Sequence, residues 1–457
     1  MHFDSLLLDN SLLYSINVVY RFGYLILGSM VQRESAQQMV EANFFSLRLL
    51  LWFKKGFASL ADQWLFSGTN FLANILLARW LPAQEYGAFA LAFSIFLLLG
   101  ALHTAVLTEP MLVLGGGRYR KKFSNYLSFL LAGHFAISLA ALILLGAAAW
   151  GISLLGSSLV ARALWGIALA SPFILLPWLL RYAFYVTSKP GLAATGSGLY
   201  LLIVPIGIYW LHEAGSLSPM FAFLLMGAVS LVISIAFLSF LRPASLRGKA
   251  DLRGMLSAQG EYAKWSGPSS ILIWIPLNIF YVVLPYSAGL EGTAELRAVS
   301  NLLTPFIQSN VAITTLLLPS LSQTYAEKGR PPLLAKIKSI FPLFILGSIG
   351  YLFLLVIFRQ PLLNLLYGDR YLHLSGVLAY AGIVPVLIGI AAVVGGGLRA
   401  MTRVRQIFTG YFSGAAAALS IGVILALKLG VTGAIIGQAI SNFVICIAFA
   451  KSLFSRK

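Results

Sequence analysis

The sequence predicts an all-α polytopic membrane protein, with about twelve transmembrane helices in two six-helix lobes around a central cavity. Three observations carry that expectation. Apolar residues make up 59% of the chain and charged residues 10%, against about 25% charge in a soluble domain, and the mean hydropathy is +0.88. The apolar residues fall in runs of about 20, long enough to cross a bilayer core as helices and free of the alternation of a membrane barrel. Lastly, the interval 242–264 (RPASLRGKADLRGMLSAQGEYAK) is the longest polar stretch of the membrane part, with matching sets of apolar runs on either side.

Taken in order, residues 1–47 read as a lead that is interfacial or disordered. Its apolar run from Ser11 to Met30 is interrupted by Asn17 and Arg21, and an Arg at mid-helix costs about 2.5–3.5 kcal/mol on insertion scales. The N-terminal lobe, 48–241, holds expected spans at 57–78, 86–108, 124–150, 160–183, 191–211 and 219–241. After the loop 242–264, the C-terminal lobe, 265–457, holds spans at 265–287, 296–319, 338–358, 373–398, 406–428 and 430–451. The connections are short, so no folded extramembrane domain is expected.

Charge orients the bundle. Of the 32 Lys and Arg, 24 fall in one alternating set of loops and six in the other. Basic loops mark the cytoplasmic side, so both ends of the bundle and 242–264 are expected there. Although the net charge is +18, its spread over short loops argues against a nucleic-acid partner. The single cysteine, Cys446, excludes an intrachain disulfide and a Cys-based metal site. No GxSxG, P-loop or HExxH pattern is present. The chain therefore reads as no enzyme, with no catalytic residue, metal or cofactor.

Polar residues inside the spans are the functional signal, because they are expensive in lipid and face a bundle interior or a cavity. In the first span, Ser59, Gln63, Ser67, Asn70 and Asn74 share one helical face, with Asp62 beside them. The seventh span carries Gly267, Ser270, Trp274, Asn278 and Tyr281 on one face, and the eighth carries Arg297, Asn301, Thr304 and Gln308. Facing these stripes onto a shared water-filled cavity makes Gln63, Asn70, Asn74, Trp274, Asn278, Arg297, Asn301 and Gln308 substrate-binding candidates. Helix packing, which also uses small and amide residues, is the competing reading. Leu180-Arg181 and Leu398-Arg399 end the fourth and tenth spans alike, suggesting an internal repeat. Repeats of this kind place substrate at the repeat interface. Arg181 and Arg399 are then either positive-inside charges or phosphate ligands, since a guanidinium fork suits phosphate.

Three stretches resemble the polysaccharide transporters, the oligosaccharide-lipid flippases of the multidrug/oligosaccharidyl-lipid/polysaccharide exporter superfamily. They are Ala78-Arg79-Trp80-Leu81-Pro82-Ala83-Gln84-Glu85-Tyr86-Gly87-Ala88-Phe89, then Leu366-Tyr367-Gly368-Asp369-Arg370-Tyr371, then Gly430-Val431-Thr432-Gly433-Ala434-Ile435-Ile436-Gly437. The resemblance covers about residues 50–455 and leaves out the lead. It implies two lobes that alternate between cytoplasmic and periplasmic openings in a bacterial inner membrane. The implied partners are a polyprenyl-pyrophosphate-linked oligosaccharide, membrane lipids, and polysaccharide polymerase or assembly proteins. Net direction then comes from consumption of product outside or from a proton or sodium gradient, with Asp62 as the ion-coupling candidate. Two other readings stay open at this point. One is a multidrug exporter of the same superfamily; the other, a membrane-bound glycan polymerase or ligase, is disfavoured by the short external loops.

Overall fold

The computed structural model describes residues 33–244 and 251–455, with side chains from residue 56 onward except 315 and 316. Residues 1–32 of the expected lead lie outside the described residues, as do 245–250 of the central loop. Among the described residues the secondary structure is entirely helical.

In the first lobe, α1 spans Arg33–Trp80, so the last part of the expected lead is helical and continuous with the first span. After it, α2 (Ala83–His103) runs on through two π-helical segments, Thr104–Thr108 and Met111–Gly115. The lobe continues with α3 (Phe123–Leu154), α4 (Ser158–Val186), α5 (Pro190–Glu213) and α6 (Pro219–Leu241). The second lobe opens with α7 (Leu252–Ser287), α8 (Gly289–Lys328) and α9 (Arg330–Tyr367), then a 3₁₀ segment, Gly368–Leu374. It ends with α10 (Ser375–Ala381), α11 (Ile383–Ala400), α12 (Val404–Ala417), a π segment at Ala418–Gly422, and α13 (Val423–Phe454).

Nine stretches of the described residues are long and apolar enough to cross a membrane. Two of these, Arg330–Ala400 with 71 residues and Val404–Phe454 with 51, exceed one crossing, since about 20 residues suffice. The first is broken at the 3₁₀ segment, where Tyr371 leaves helical geometry. The second is broken at Gly430, whose φ of 58° and ψ of −134° are open to glycine and costly for other residues. With α1, whose amide stripe lowers its hydropathy, the twelve expected traversals are accounted for.

The central loop is shorter than the composition suggests. Helix α7 begins at Leu252, where Asp251 caps it by accepting from the Gly254 amide at 2.9 Å. Residues 252–264 look polar because one face of that turn is in water, but Met255 and Gln259 on the other face are buried.

The halves repeat one packing scheme. In the first lobe α1 packs on α5, α2 and α3 pack on α4, and α4 packs on α6. In the second, α7 packs on α12, α8 and α9 on α11, and α11 on α13. The turn ending the fourth and tenth spans repeats bond for bond. Ser188 and Thr402 adopt left-handed φ of 60° and 54°. Lys189 N–H then reaches Phe184 O, as Arg403 N–H reaches Leu398 O, the pattern of a Schellman cap. That register corrects the sequence pairing of Arg181 with Arg399. The structural counterpart of Arg399 is Tyr185, and Arg181 lies one helical turn deeper.

Topology is tested by labelling in a Cys446→Ala background, which removes the buried native thiol. In intact cells, Ser257→Cys on α7 should resist an impermeant maleimide, while Ser216→Cys, in the turn between α5 and α6, should react. The reverse pattern would invert the orientation read from the loop charges.

Candidate transport cavity and inter-lobe seam

The polar stripes divide by depth into three groups with different partners. In α1, Asp62 is fully buried and bound by α4. Arg181 donates from Nε to Asp62 Oδ1 at 3.0 Å and from Nη2 to Oδ2 at 2.7 Å. Ser197 on α5 and Tyr185 on α4 donate hydroxyls to the same carboxylate, and the guanidinium lies 4.2 Å from the Phe66 ring centre. Two sequence candidates from different spans thus form one internal pair. The guanidinium satisfies the carboxylate, and neither charge faces the space between the lobes.

The second group forms a seam between the lobes. Arg297 on α8 donates from Nε to Asn74 Oδ1 on α1 at 2.8 Å. Its guanidinium rests 4.6 Å from the Phe93 ring of α2 and 5.9 Å from the Tyr281 ring of α7. Asn74 in turn donates to Asn70 O at 2.8 Å. Asn301 donates to Phe71 O and lies beside the Tyr367 hydroxyl. Arg370, in the 3₁₀ segment, donates to Ala78 O and Leu81 O at the end of α1, and Arg79 reaches Leu365 O in return. Gly87 in α2 belongs to the same seam: a Cβ there would stand 1.8 Å from Leu290 O. Only glycine permits that backbone approach. The end of the molecule away from the basic loops is therefore closed.

The third group lines a cavity of about 420 Å³ between α1 of the first lobe and α8 and α9 of the second. Gln63 and Ser67 face Thr304 and Gln308 across it, and Trp64, Phe71, Phe306 and Tyr351 supply most of the wall. Among the described residues, no charged side chain lines it.

The stripe on α7 faces the first lobe. Trp274 donates its indole N–H to Ser94 O at 2.8 Å, and Asn278 donates to Trp274 O at 3.1 Å. The indole N–H is thereby committed to the seam. Nearer the basic loops, Ser266 donates to Ala105 O and Gln259 to Val106 O, while Tyr126 of α3 donates to Gln259 Oε1 at 2.7 Å. The acceptors are carbonyls of a π segment, whose wider turn leaves main-chain oxygens off the helical ladder. Arg399 on α11 is exposed and acts electrostatically on Glu109, across the divide between the lobes.

Sequence reading missed Gln259, Tyr185, Ser197 and Gly87. The stripe pattern names a face but no partner. A signal for Arg181 did exist, because a carboxylate buried in a lipid-spanning helix requires a cation nearby.

No protein-family profile matches the chain, and no curated protein matches it in sequence. Solved structures do match in fold. An inward-facing multidrug-resistance MATE transporter of the MOP superfamily superposes with a TM-score of 0.70 at 16% identity, covering 86% of this chain and 94% of that one. The lipid II flippase MurJ in an inward closed conformation gives 0.67 at 17% identity, over 89% of this chain and 88% of that one. A MOP-superfamily transporter from Pyrococcus furiosus, described as having a binding pocket of reverse polarity that suggests a different function, gives 0.64 at 14% identity, over 86% and 94%. The chain has the multi-pass membrane fold shared by these transporters.

Proposed function

We propose that the chain is a flippase that moves a polyprenyl-pyrophosphate-linked oligosaccharide across a bacterial inner membrane by alternating access, for surface polysaccharide synthesis. The observation that carries this reading is the placement of Arg399 and Arg297. Arg399 stands exposed at the basic end, and Arg297 lies deeper, held at the seam by Asn74. A headgroup with two phosphates cannot enter hydrocarbon unaided, because burying an unpaired charge costs many kcal/mol. In this reading the basic end is cytoplasmic, and Arg399 receives the pyrophosphate with charge-assisted hydrogen bonds. The polyprenyl tail stays in lipid along the apolar wall of the cavity between α1 and α8, while Gln63 and Gln308 contact sugar. Opening of the far end breaks the Arg297–Asn74 and Arg370 contacts, which frees the Arg297 guanidinium for the phosphates.

Asp62 and Arg181 supply the coupling element. A proton or sodium ion reaching Asp62 would release Arg181, and release of Arg181 would leave the carboxylate free to take the ion. Polymerase or assembly proteins that consume the glycan outside would pull in the same direction. The MurJ likeness supports a lipid-linked cargo.

A second reading has its own observation. The uncharged, aromatic wall of the cavity, with Trp64, Phe71, Phe306 and Tyr351, suits a lipophilic drug, and the MATE likeness supports it equally. The two readings separate in a deletion strain. Loss of surface glycan with unchanged drug sensitivity supports the flippase, and the opposite result supports the drug exporter.

In that strain, with membrane levels matched, Arg297→Gln should lower surface glycan at least about tenfold, the scale of one lost charge-assisted contact. Arg297→Lys should keep part of the activity, because it retains the charge without the planar fork. Full complementation by Arg297→Gln would remove this residue from the site.

Asp62→Asn would leave Arg181 buried without its carboxylate, a change that costs about 3–5 kcal/mol in buried pairs. The melting temperature of the purified protein should fall clearly, and Asp62→Asn with Arg181→Gln together should recover part of the loss. An unchanged melting temperature would show that the pair does not hold the lobe together.

A further inference from the structure

Histidine is scarce in this chain, with five in 457 residues, and two of them meet inside the first lobe. His103 ends α2, His134 lies in α3, and both are fully buried. Their rings stand edge-on at 88°, and His103 Nε2 is 3.0 Å from His134 Nδ1. Of the outer nitrogens, His103 Nδ1 is buried with no hydrogen-bond partner, while His134 has the Pro172 main chain of α4 beside it, outside the geometry of a well-formed hydrogen bond at Nε2. Two neutral imidazoles hold two ring protons. One bridges the 3.0 Å gap, so one outer nitrogen carries the second and the other is a bare lone pair; with Pro172 beside His134, the bare nitrogen is His103 Nδ1.

Charged groups on the surrounding elements face elsewhere. Glu109, on the same segment as His103, acts on Arg399, Tyr182 and Tyr262. On α4, Arg181 is held by Asp62 and Arg162 is exposed. On α7, Arg253, Glu261 and Lys264 are exposed. Among the described residues, the titratable group that acts on His103 is His134 alone.

The segment that follows His103 points to what this pair does. Thr104–Thr108 is π-helical and packs on α7, offering Ala105 O to Ser266 and Val106 O to Gln259. Gln259 is held from the other side by Tyr126 of α3. The two helices that bring the imidazoles together are thus the two that clasp Gln259 of the second lobe.

We propose that His103 and His134 form a proton-binding site whose occupancy loosens the Gln259 clasp between the lobes. A third proton, taken from water onto the bare ring nitrogen, turns the pair into an imidazolium hydrogen-bonded to an imidazole. That charge is unfavourable in a dry, apolar site, so it favours the arrangement in which α2 and α3 part and water enters. Parting them opens the clasp on Gln259. The lobe movement rests on the alternating-access reading above; proton uptake by the pair does not.

Full-length protein labelled with ¹⁵N-histidine, in lipid nanodiscs, gives the test between about pH 8.5 and about pH 4.5, a range that spans histidine titration. The two ring signals, assigned by their loss in His103→Gln and His134→Gln, should shift together with one midpoint. Each substitution should also move the midpoint of the ring that remains. Rings that stay neutral throughout, or that titrate independently of each other, would overturn the site. In a Cys446→Ala background, spin labels at Lys189→Cys and Lys328→Cys, one per lobe at the basic end, report lobe separation. The open population should change at least about threefold across the same midpoint. Gln259→Leu should keep the ring titration and lose that dependence. Titrating rings with separations that ignore pH would overturn the clasp, and lobes that never separate under any condition would count against the transport reading while the proton site stood.

Discussion

The two lobes are joined by side-chain donors of one reaching main-chain carbonyls of the other. Arg370 bonds to Ala78 and Leu81, Asn301 to Phe71, Trp274 to Ser94, Ser266 to Ala105 and Gln259 to Val106. Among the described residues, the buried ion pair Asp62–Arg181 lies within the first lobe, and the exposed contact of Glu295 with His373 lies within the second. A hydrogen bond to a carbonyl contributes about 1 kcal/mol net when water can take its place. Breaking a buried ion pair is several times more costly. The buried ion pair therefore stiffens the first lobe, while hydrogen bonds, those of Arg297 and Arg370 being the strongest, hold the lobes to each other. Under the alternating-access proposal, that division would let the lobes part without unfolding.

The internal repeat explains where the asymmetry lies. Both lobes share one pairing scheme and one Schellman-capped turn, yet Arg181 is buried and neutralised while Arg399, a helical turn further along, is exposed. Four residues of displacement along a helix return to nearly the same face at a different depth. The same residue type is thus paired and buried in one lobe and exposed in the other.

Much of this was legible in the sequence, and the illegible part has a physical cause. Span positions follow from runs of apolar residues, and the three stripes follow from helical spacing, both local properties. Partner identity is not local. Asp62 and Arg181 are separated by 119 positions, and nothing in either neighbourhood names the other. Gln259 looked like a loop residue because its neighbours Glu261 and Lys264 face water, although it is buried on the opposite side of the same turn. Trp274 stood out by its place on the α7 stripe, but nothing near it names Ser94 O as the acceptor of its indole N–H. The π segment at Thr104–Thr108 left no mark, since its Ala105 and Val106 carbonyls turn toward Ser266 and Gln259 of a distant helix.

Gly87 has a consequence for how such a chain can drift over generations. Its lack of a side chain matters where α2 and α8 meet, because a Cβ there would stand 1.8 Å from Leu290 O; if the lobes part as proposed, that clash would vanish with the contact. A descendant that still cycles between two openings would be barred from any other residue there. One that had settled permanently open at that end would be under no such pressure. The identity of this single position would then record, in a lineage, whether the motion itself had survived.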